Sequence, residues 1–224
     1  MAKKKKKRVL KVKNIIIILI VLILFVGIFY YAINMPVENI YIVGNEIVSD
    51  NEILSLSLLD EYPSFLLTSG KKVEKALLDN DYIEKVEVHK KFGNVIELEI
   101  AEYKVVAVNN DGEIILSNGS VLENNYNITD IPRLISNIEV ELIDSFAERF
   151  SRIDENILRD ISEIEYSPVE VDEDRFLLYM NDGNFVYVTL TKIDKMNKYN
   201  DIKDELSDRK GIIYLDSGDY VELR

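Results

Sequence analysis

The sequence predicts an α+β protein with one N-terminal transmembrane helix, a small mixed module and then a strand-rich module with a long helix near the C-terminus. Three observations support this fold class. Residues 15–33 are an uncharged apolar run; residues 35–104 alternate between helical and strand periods; and residues 105–224 contain short alternating runs separated by Asn-, Asp- and Gly-rich turns.

The charge of the chain is unevenly distributed. It has 27 Lys and Arg against 40 Asp and Glu, a net charge of −13. Residues 1–13 contain eight cations and no acid, so the remainder carries 19 basic and 40 acidic residues and a net charge of −21. Phosphate binding needs a basic face, and we therefore expect no nucleic-acid partner for the acidic body.

The apolar run predicts a membrane anchor over residues 15–34. Nineteen residues of helix span about 28 Å, which matches the hydrocarbon core of a bilayer at about 30 Å. Ala32-Ile33-Asn34-Met35 offers no small-residue cleavage site, so we expect the helix to stay uncleaved. The positive-inside rule places the basic tail, residues 1–14, in the cytoplasm and the C-terminal body outside, the topology of a type II protein in the cell membrane.

The first module, residues 35–104, has the predicted order strand, helix, helix, strand, strand. Ser49 and Glu52 form a capping box that begins the first helix. The second helix follows Ser69-Gly70 and turns Val73 and Leu77 inward. Strands are expected at these places: from Val37 to the turn at Gly44-Asn45, from Ile83 to Lys91, and from Val95 to Tyr103.

These residues resemble a known domain. The runs I-x-V-x-G-N, S-x-x-E-I, Y-I-x-K-V-x-V and L-E-I are similar to those of a POTRA domain. One POTRA domain behind a single anchor with a basic tail resembles the bacterial cell-division family FtsQ/DivIB. The chain departs from the family pattern at Gly93, where proline is frequent, and at Glu102-Tyr103-Lys104-Val105, where Glu-Arg is often followed by proline. The strand alternation survives both departures.

The second module, residues 105–224, reads as a β-domain like the one that follows POTRA in that family. Helices are predicted from Glu139 to Arg152, from Asp154, and from Lys192 to Leu206, the last with an inner stripe of Ile193, Met196, Ile202 and Leu206. Asn181-Asp182-Gly183 predicts a hairpin turn. Short strands are expected at Val105–Val108, Glu113–Leu116, Ser120–Leu122, Arg175–Met180, Asn184–Leu190, Gly211–Leu215 and Tyr220–Leu223.

The residue types argue against catalysis. The chain has no cysteine and one histidine, which excludes disulfides, thiolate zinc sites and cysteine nucleophiles. His89 is predicted on the exposed face of a strand, without a second imidazole to share a metal. Asp154 begins a faint calcium-loop pattern, which fails because Arg159 stands at the glycine position. We predict no catalytic residue, no metal and no cofactor, although 40 acids always offer carboxylate pairs of the kind a glycosidase uses.

The positive case is for a partner-binding edge. The last strand of a sheet can leave N–H and C=O groups unpaired and accept a strand from another protein. The alternative is that these strands only complete the fold. The family resemblance implies recruitment of a single-pass partner, FtsB/DivIC, through the terminal strand and the preceding helix. Transferred to this chain, it implies the contact residues Tyr220, Val221, Leu223, Lys195 and Tyr199.

The resemblance implies a non-catalytic divisome scaffold, concentrated at the division septum. Such a scaffold binds FtsL and FtsB/DivIC and helps to control septal peptidoglycan synthesis, with an indirect link to the synthase. Two alternatives from other classes remain. One is a membrane-tethered chaperone-like POTRA protein, and the other is an anchored cell-wall hydrolase.

Overall fold

The computed structural model describes residues 12–207 and 209–224, so most of the basic tail lies outside the described residues. Helix α1, Val12–Ile33, begins three residues before the uncharged run and ends with it. Its side chains are exposed along its length. Within the described ranges it is the one helix long and apolar enough to cross a membrane, as the sequence predicts.

The chain divides into two compact units between Ala101 and Glu102. The first contains α1 and a three-stranded sheet of order β1-β3-β2, in which β1 and β3 run parallel. The order strand, helix, helix, strand, strand is confirmed. Its elements are β1 Asn39–Val43, α2 Asp50–Leu56, α3 Gly70–Leu78, β2 Ile83–Lys91 and β3 Val95–Glu102.

Local chemistry explains the first unit. The Ser49 hydroxyl accepts the backbone N–H of Glu52 at 3.3 Å, which caps α2 as predicted. Gly44 has φ +87°, and a Cβ there would lie 2.3 Å from the Ile100 carbonyl oxygen, so the turn after β1 requires glycine. The core is aliphatic, with its central members fully buried: Ile53, Leu77, Ile96 and Leu98.

The second unit is one nine-stranded sheet of order β12-β11-β10-β9-β8-β7-β4-β5-β6, with helices on one face. Neighbours are antiparallel except β10–β11, β4–β7 and β7–β8. Its elements are β4 Val105–Val108, β5 Glu113–Leu116, β6 Val121–Glu123, β7 Arg133–Leu134, α4 Val140–Phe150, α5 Glu155–Arg159, β8 Ile161–Tyr166, β9 Arg175–Met180, β10 Phe185–Thr189, a 3-10 helix Leu190–Lys198, α6 Tyr199–Leu206, β11 Gly211–Tyr214 and β12 Tyr220–Leu223.

Aromatic packing holds this sheet to its helices. The rings of Phe146 and Phe150 on α4 lie 4.3 Å apart, and both contact Phe176 on β9 at 5.4 and 5.6 Å. All three side chains are fully buried. Aromatic pairs at these distances add to the free energy of area burial.

Two details differ from the sequence prediction. The helix predicted from Lys192 to Leu206 is a 3-10 helix followed by α6, although Ile193, Met196 and Leu206 of its inner stripe are buried. No strand is predicted from the sequence at β7 or at β8, although β8 lies in the middle of the sheet.

Candidate partner-binding edge

Strand β12 forms one edge of the nine-stranded sheet, and its backbone orientation can be read from its register. β12 pairs with β11 antiparallel, so alternate residues direct their N–H and C=O groups toward β11. Arg224 donates its N–H to the Lys210 carbonyl at 2.9 Å. A Cβ on Gly211 would lie 2.6 Å from the Glu222 carbonyl oxygen. The backbone groups of Glu222 and Arg224 therefore face β11.

The residues between them face the other way. By the same alternation, Val221 and Leu223 direct their N–H and C=O groups away from the sheet, toward the space where a tenth strand would lie. The opposite edge, β6, is built alike. Leu116 donates to the Ser120 carbonyl at 2.9 Å, so Val121 points its N–H outward there.

The side chains of β12 lie on two faces. Val221 packs against the core on the helix-covered face, with Leu223 half-exposed on the same side. Tyr220, 51% exposed, lies on the opposite face with Glu222. An edge strand with an exposed tyrosine and an exposed leucine on its two faces offers apolar contacts as well as backbone groups.

A tyrosine ladder crosses the end of the sheet on the open face. The Tyr220 ring stacks on Tyr214 of β11 at 4.5 Å, and Tyr214 stacks on Tyr187 of β10 at 5.4 Å. The Arg175 guanidinium lies 3.7 Å from the centre of the Tyr187 ring. Through these stacked rings, the side chain of the edge residue Tyr220 is packed against residues of the inner strands β10 and β9.

A buried ion pair anchors the turn between β11 and β12. Arg175 Nε is 2.7 Å from Asp216 Oδ2, and the two side chains are 14% and 5% exposed. Lys192 on the 3-10 helix donates to the Asp216 carbonyl, and Lys195 on the same helix pairs with Asp219. The predicted contact residue Lys195 thus supports the turn that precedes β12.

Tyr199 lies in the interior, not on the surface. It is fully buried, and its hydroxyl contacts both Asp182 carboxylate oxygens at 3.0 and 2.9 Å and accepts the Asn184 amide at 3.0 Å. Asn184 in turn accepts the Gly211 N–H at 3.0 Å, next to β12. In the free chain Tyr199 therefore supports the sheet from within, and its implied role in partner contact stays a prediction.

This network perturbs the ionisation of its members. Burial acts to raise the pKa of Asp182, but the Asn184 N–H, the Tyr199 hydroxyl and nearby lysines outweigh it and lower the pKa. Burial is the main cause that raises the pKa of Tyr199. The carboxylate and the neutral phenol are therefore the stable forms near neutral pH.

The structure brings Tyr220, Val221 and Leu223 together on β12, with Lys195 beside the preceding turn. Sequence reasoning named Tyr220 but missed Arg175, Asp216 and the other two ladder tyrosines, Tyr187 and Tyr214. Tyr187, Tyr214 and Tyr220 each lie in a predicted strand, but only the pairing of β10 with β11 and of β11 with β12 makes them neighbours. The Arg175–Asp216 pair joins residues 41 positions apart, which no local pattern reveals.

His89 lies on the exposed face of β2, as predicted. Its Nε2 is 3.4 Å from Glu87 and 3.8 Å from Glu99, and all three side chains are at least 44% exposed. These three groups could offer ligand atoms to a metal ion. Their exposure gives them the character of surface ion pairs, which contribute little to stability.

Both units match known family models. Residues 35–103 match the model described as POTRA domain, FtsQ-type. Residues 104–224 match the model described as cell division protein FtsQ/DivIB, C-terminal.

Several relatives carry the same name, cell division protein DivIB. The protein from Bacillus subtilis is 35% identical over 83% of this chain and 73% of its own length. The protein from Brevibacillus brevis is 34% identical over 80% and 71%. A solved structure of the major extracytoplasmic domain of DivIB from Geobacillus stearothermophilus is 26% identical, covers 47% of this chain and 95% of that one, and has a TM-score of 0.40.

Proposed function

The chain belongs to the FtsQ/DivIB family of bacterial cell-division proteins, and we propose that within division it is a membrane-anchored scaffold that presents β12 to a partner strand. The single observation that carries this proposal is the edge of the nine-stranded sheet. Val221 and Leu223 direct backbone donors and acceptors outward there, and Tyr220 and Leu223 add exposed apolar surface.

The orientation of the membrane helix determines on which side of the membrane the β12 edge lies. Helix α1 has the length and composition of a membrane span, and the eight cations before it favour a cytoplasmic N-terminus. The two folded units then lie outside the cytoplasm, in a single-pass type II arrangement. A relative's solved domain is described as extracytoplasmic, which supports the same orientation.

The proposed partners are FtsL and FtsB/DivIC, single-pass division proteins whose external segments lie at the same membrane surface. One of them adds an extended strand to β12, and its alternate side chains cover Tyr220 on one face and Leu223 on the other. The assembled complex concentrates at the septum and helps to control the septal peptidoglycan synthase. Backbone pairing gives affinity, and the two side chains set the register.

The polar groups of the second unit support a structural role. Asp182 is held as a carboxylate by Tyr199 and Asn184, and Glu87 in the first unit has its pKa lowered chiefly by its hydrogen bond from Lys85. A glycosidase acid needs a carboxyl group whose pKa is raised. Neither of these two carboxyl groups has that raised pKa, and we propose from the family membership that the protein is a scaffold without catalytic activity.

A proline substitution tests the edge directly. Val221→Pro removes an outward N–H, and proline is tolerated in edge strands where the N–H faces solvent. When the full-length variant is purified from cell membranes, we expect FtsL and DivIC no longer to co-purify with it. The matched control is Val121→Pro, which removes an outward N–H from the opposite edge of the same sheet and keeps the partners. Equal co-purification by both folded variants would refute the edge proposal.

Depletion tests the wider role. Cells that lose the protein should form filaments with fewer septa than wild-type cells. Normal septation at all temperatures, together with no co-purifying division protein, would contradict the scaffold. A zymogram with the purified full-length chain addresses hydrolysis, and a cleared zone would contradict the proposal that the protein is not an enzyme.

A further inference from the structure

A loop of the first unit is tied to the end of the membrane helix. The loop runs from Ser57 to Ser69 between α2 and α3, and the Ser64 hydroxyl donates to the carbonyl of Ile33, the last residue of α1. Phe65 donates its N–H to the Met35 carbonyl at 2.9 Å. Val37 donates to the Pro63 carbonyl at 2.9 Å. The loop therefore sits where the chain leaves the helix.

These bonds fix the distance of the loop from the bilayer. Met35 follows Ile33 by two residues, which is at most about 7 Å of extended chain. The headgroup layer adds about 5–7 Å on each side of a hydrocarbon core of about 30 Å. With α1 spanning the core through Ile33, Phe65 and its neighbours lie at the depth of the headgroups.

The side chains at that depth are apolar and unburied. Leu66 and Leu67 are 53% and 65% exposed. The segment from Pro63 to Leu67 contains no acid, and the two acids of the loop precede it at Asp60 and Glu61. Adjacent exposed leucines are costly in water and favourable at a membrane interface.

The neighbouring hairpin adds to the same region. Glu38, five residues after Ile33, donates its N–H to the Asn94 carbonyl at 2.9 Å, which places the turn of residues 92–94 beside the emerging chain. Phe92 in this turn is fully exposed. Lys90, two residues earlier, lies 4.9 Å from the centre of the Phe65 ring and donates to the Phe65 carbonyl, so a cation stands beside the apolar surface.

We propose that this apolar surface, formed by Phe65, Leu66, Leu67 and Phe92, lies in the headgroup–acyl boundary of the bilayer that α1 crosses. The proposal rests on the proposed membrane insertion of α1. Insertion fixes the first unit against the membrane by two attachments, the helix and the loop, instead of by one flexible connection. Lys71 and Lys72, which begin α3, and Lys90 favour anionic lipid headgroups.

The composition of the chain makes the test direct, because it contains no tryptophan. Single-tryptophan variants of the full chain are placed in two sets of phosphatidylcholine and phosphatidylglycerol vesicles. One set carries bromine on the acyl chains close to the glycerol, and the other carries it near the ends of the acyl chains. Leu67→Trp and Phe92→Trp report on the surface. Leu78→Trp is the matched control, because Leu78 is an exposed leucine at the far end of α3. Phe25→Trp reports on the middle of α1.

We expect bromine to quench most of the fluorescence of Leu67→Trp and Phe92→Trp, with a blue-shifted emission, while Leu78→Trp emits as in water. Quenching of Phe25→Trp alone would overturn the interfacial loop but leave the membrane span, and would assign the exposed leucines to a protein partner. Absence of quenching of Phe25→Trp in both sets of vesicles, including the set with bromine near the chain ends, would overturn the span and the inference together.

Discussion

The two units differ in how they use polar groups. In the first unit the ion pairs are on the surface: Lys91 pairs with Glu97, and their side chains are 52% and 27% exposed. In the second unit Arg175 and Asp216 form a pair that is largely buried, and Tyr199 closes a buried network. The central core residues of the first unit are aliphatic, whereas the core of the second unit also encloses a largely buried ion pair and a hydrogen-bonded tyrosine.

The location of those bonds explains the difference. The Arg175–Asp216 pair holds the turn before β12, and the Asn184 amide oxygen holds the N–H of Gly211, the first residue of β11. Both act on the last two strands of the sheet. Hydrophobic contacts are not directional, whereas bonds with fixed geometry hold these two strands in one register, as the proposed strand addition at β12 requires.

The largest effect is expected from the aromatic core. Phe176→Ala should lower the free energy of unfolding of the second unit by about 3–5 kcal/mol, because it removes a buried ring and leaves a cavity between α4 and the sheet. Urea unfolding followed by tyrosine fluorescence measures the loss. Leu98→Ala is the counterpart in the first unit, at about 2–5 kcal/mol. If Phe176→Ala lowered the free energy of unfolding by less than about 1 kcal/mol, well below the usual cost of such core truncations, the proposed packing would be contradicted.

The ion pairs give the next largest contrast. Asp216→Asn should cost about 1.5–3 kcal/mol, because it leaves the Arg175 guanidinium largely buried without its charged acceptor. The matched change Glu97→Gln removes the half-buried partner of the exposed Lys91 and should cost about 0–1 kcal/mol. Urea unfolding of both variants measures the two losses in the free energy of unfolding. Equal losses would contradict the difference between a largely buried ion pair in the second unit and a surface ion pair in the first.

A smaller effect is expected from the buried hydroxyl. Tyr199→Phe keeps the ring but leaves the Asn184 amide and the Asp182 carboxylate with fewer partners, at a cost of about 1–2 kcal/mol. Hydrogen exchange should also show faster exchange at Gly211, whose acceptor Asn184 loses its support. If Tyr199→Phe left both the free energy of unfolding and the exchange rate at Gly211 unchanged, the Tyr199 hydroxyl would not support this network.

The pH dependence should be the smallest effect. The folded-state pKa of Asp182 is lowered, so its contribution is present above the ordinary pKa of about 4 and is lost as pH falls through the folded value. Asp182→Asn should flatten this acid dependence. The pKa of Glu87 is lowered as well, chiefly through the exposed Lys85, and salt screens that interaction. Measuring the free energy of unfolding against acid pH at low and high salt separates the contributions of Asp182 and Glu87. Equal salt sensitivity of the two contributions would contradict the difference between a half-buried and an exposed carboxylate.

Local sequence patterns predicted most helices and strands of the fold. The arrangement of the candidate partner-binding edge depends instead on pairing between strands that are distant in sequence. The capping box at Ser49 and the alternation of β3 depend on neighbouring residues, and both are as predicted. The resemblance implies Tyr199 as a contact residue, although its spacing of three residues from Met196 and from Ile202 predicts the inner stripe, where its side chain is buried. The tyrosine ladder could not be foreseen, because it depends on strands that meet only in the folded sheet.

Hydrogen exchange at single residues of β12 tests the central claim most directly. In the full-length chain in nanodiscs, the amides of Tyr220 and Glu222 should be protected already, because they face β11. Adding the external segment of DivIC should protect Val221 and Leu223 while Val121 on the opposite edge stays unprotected. Binding that leaves the Val221 and Leu223 amides exchanging at their free rates would contradict strand addition at this edge.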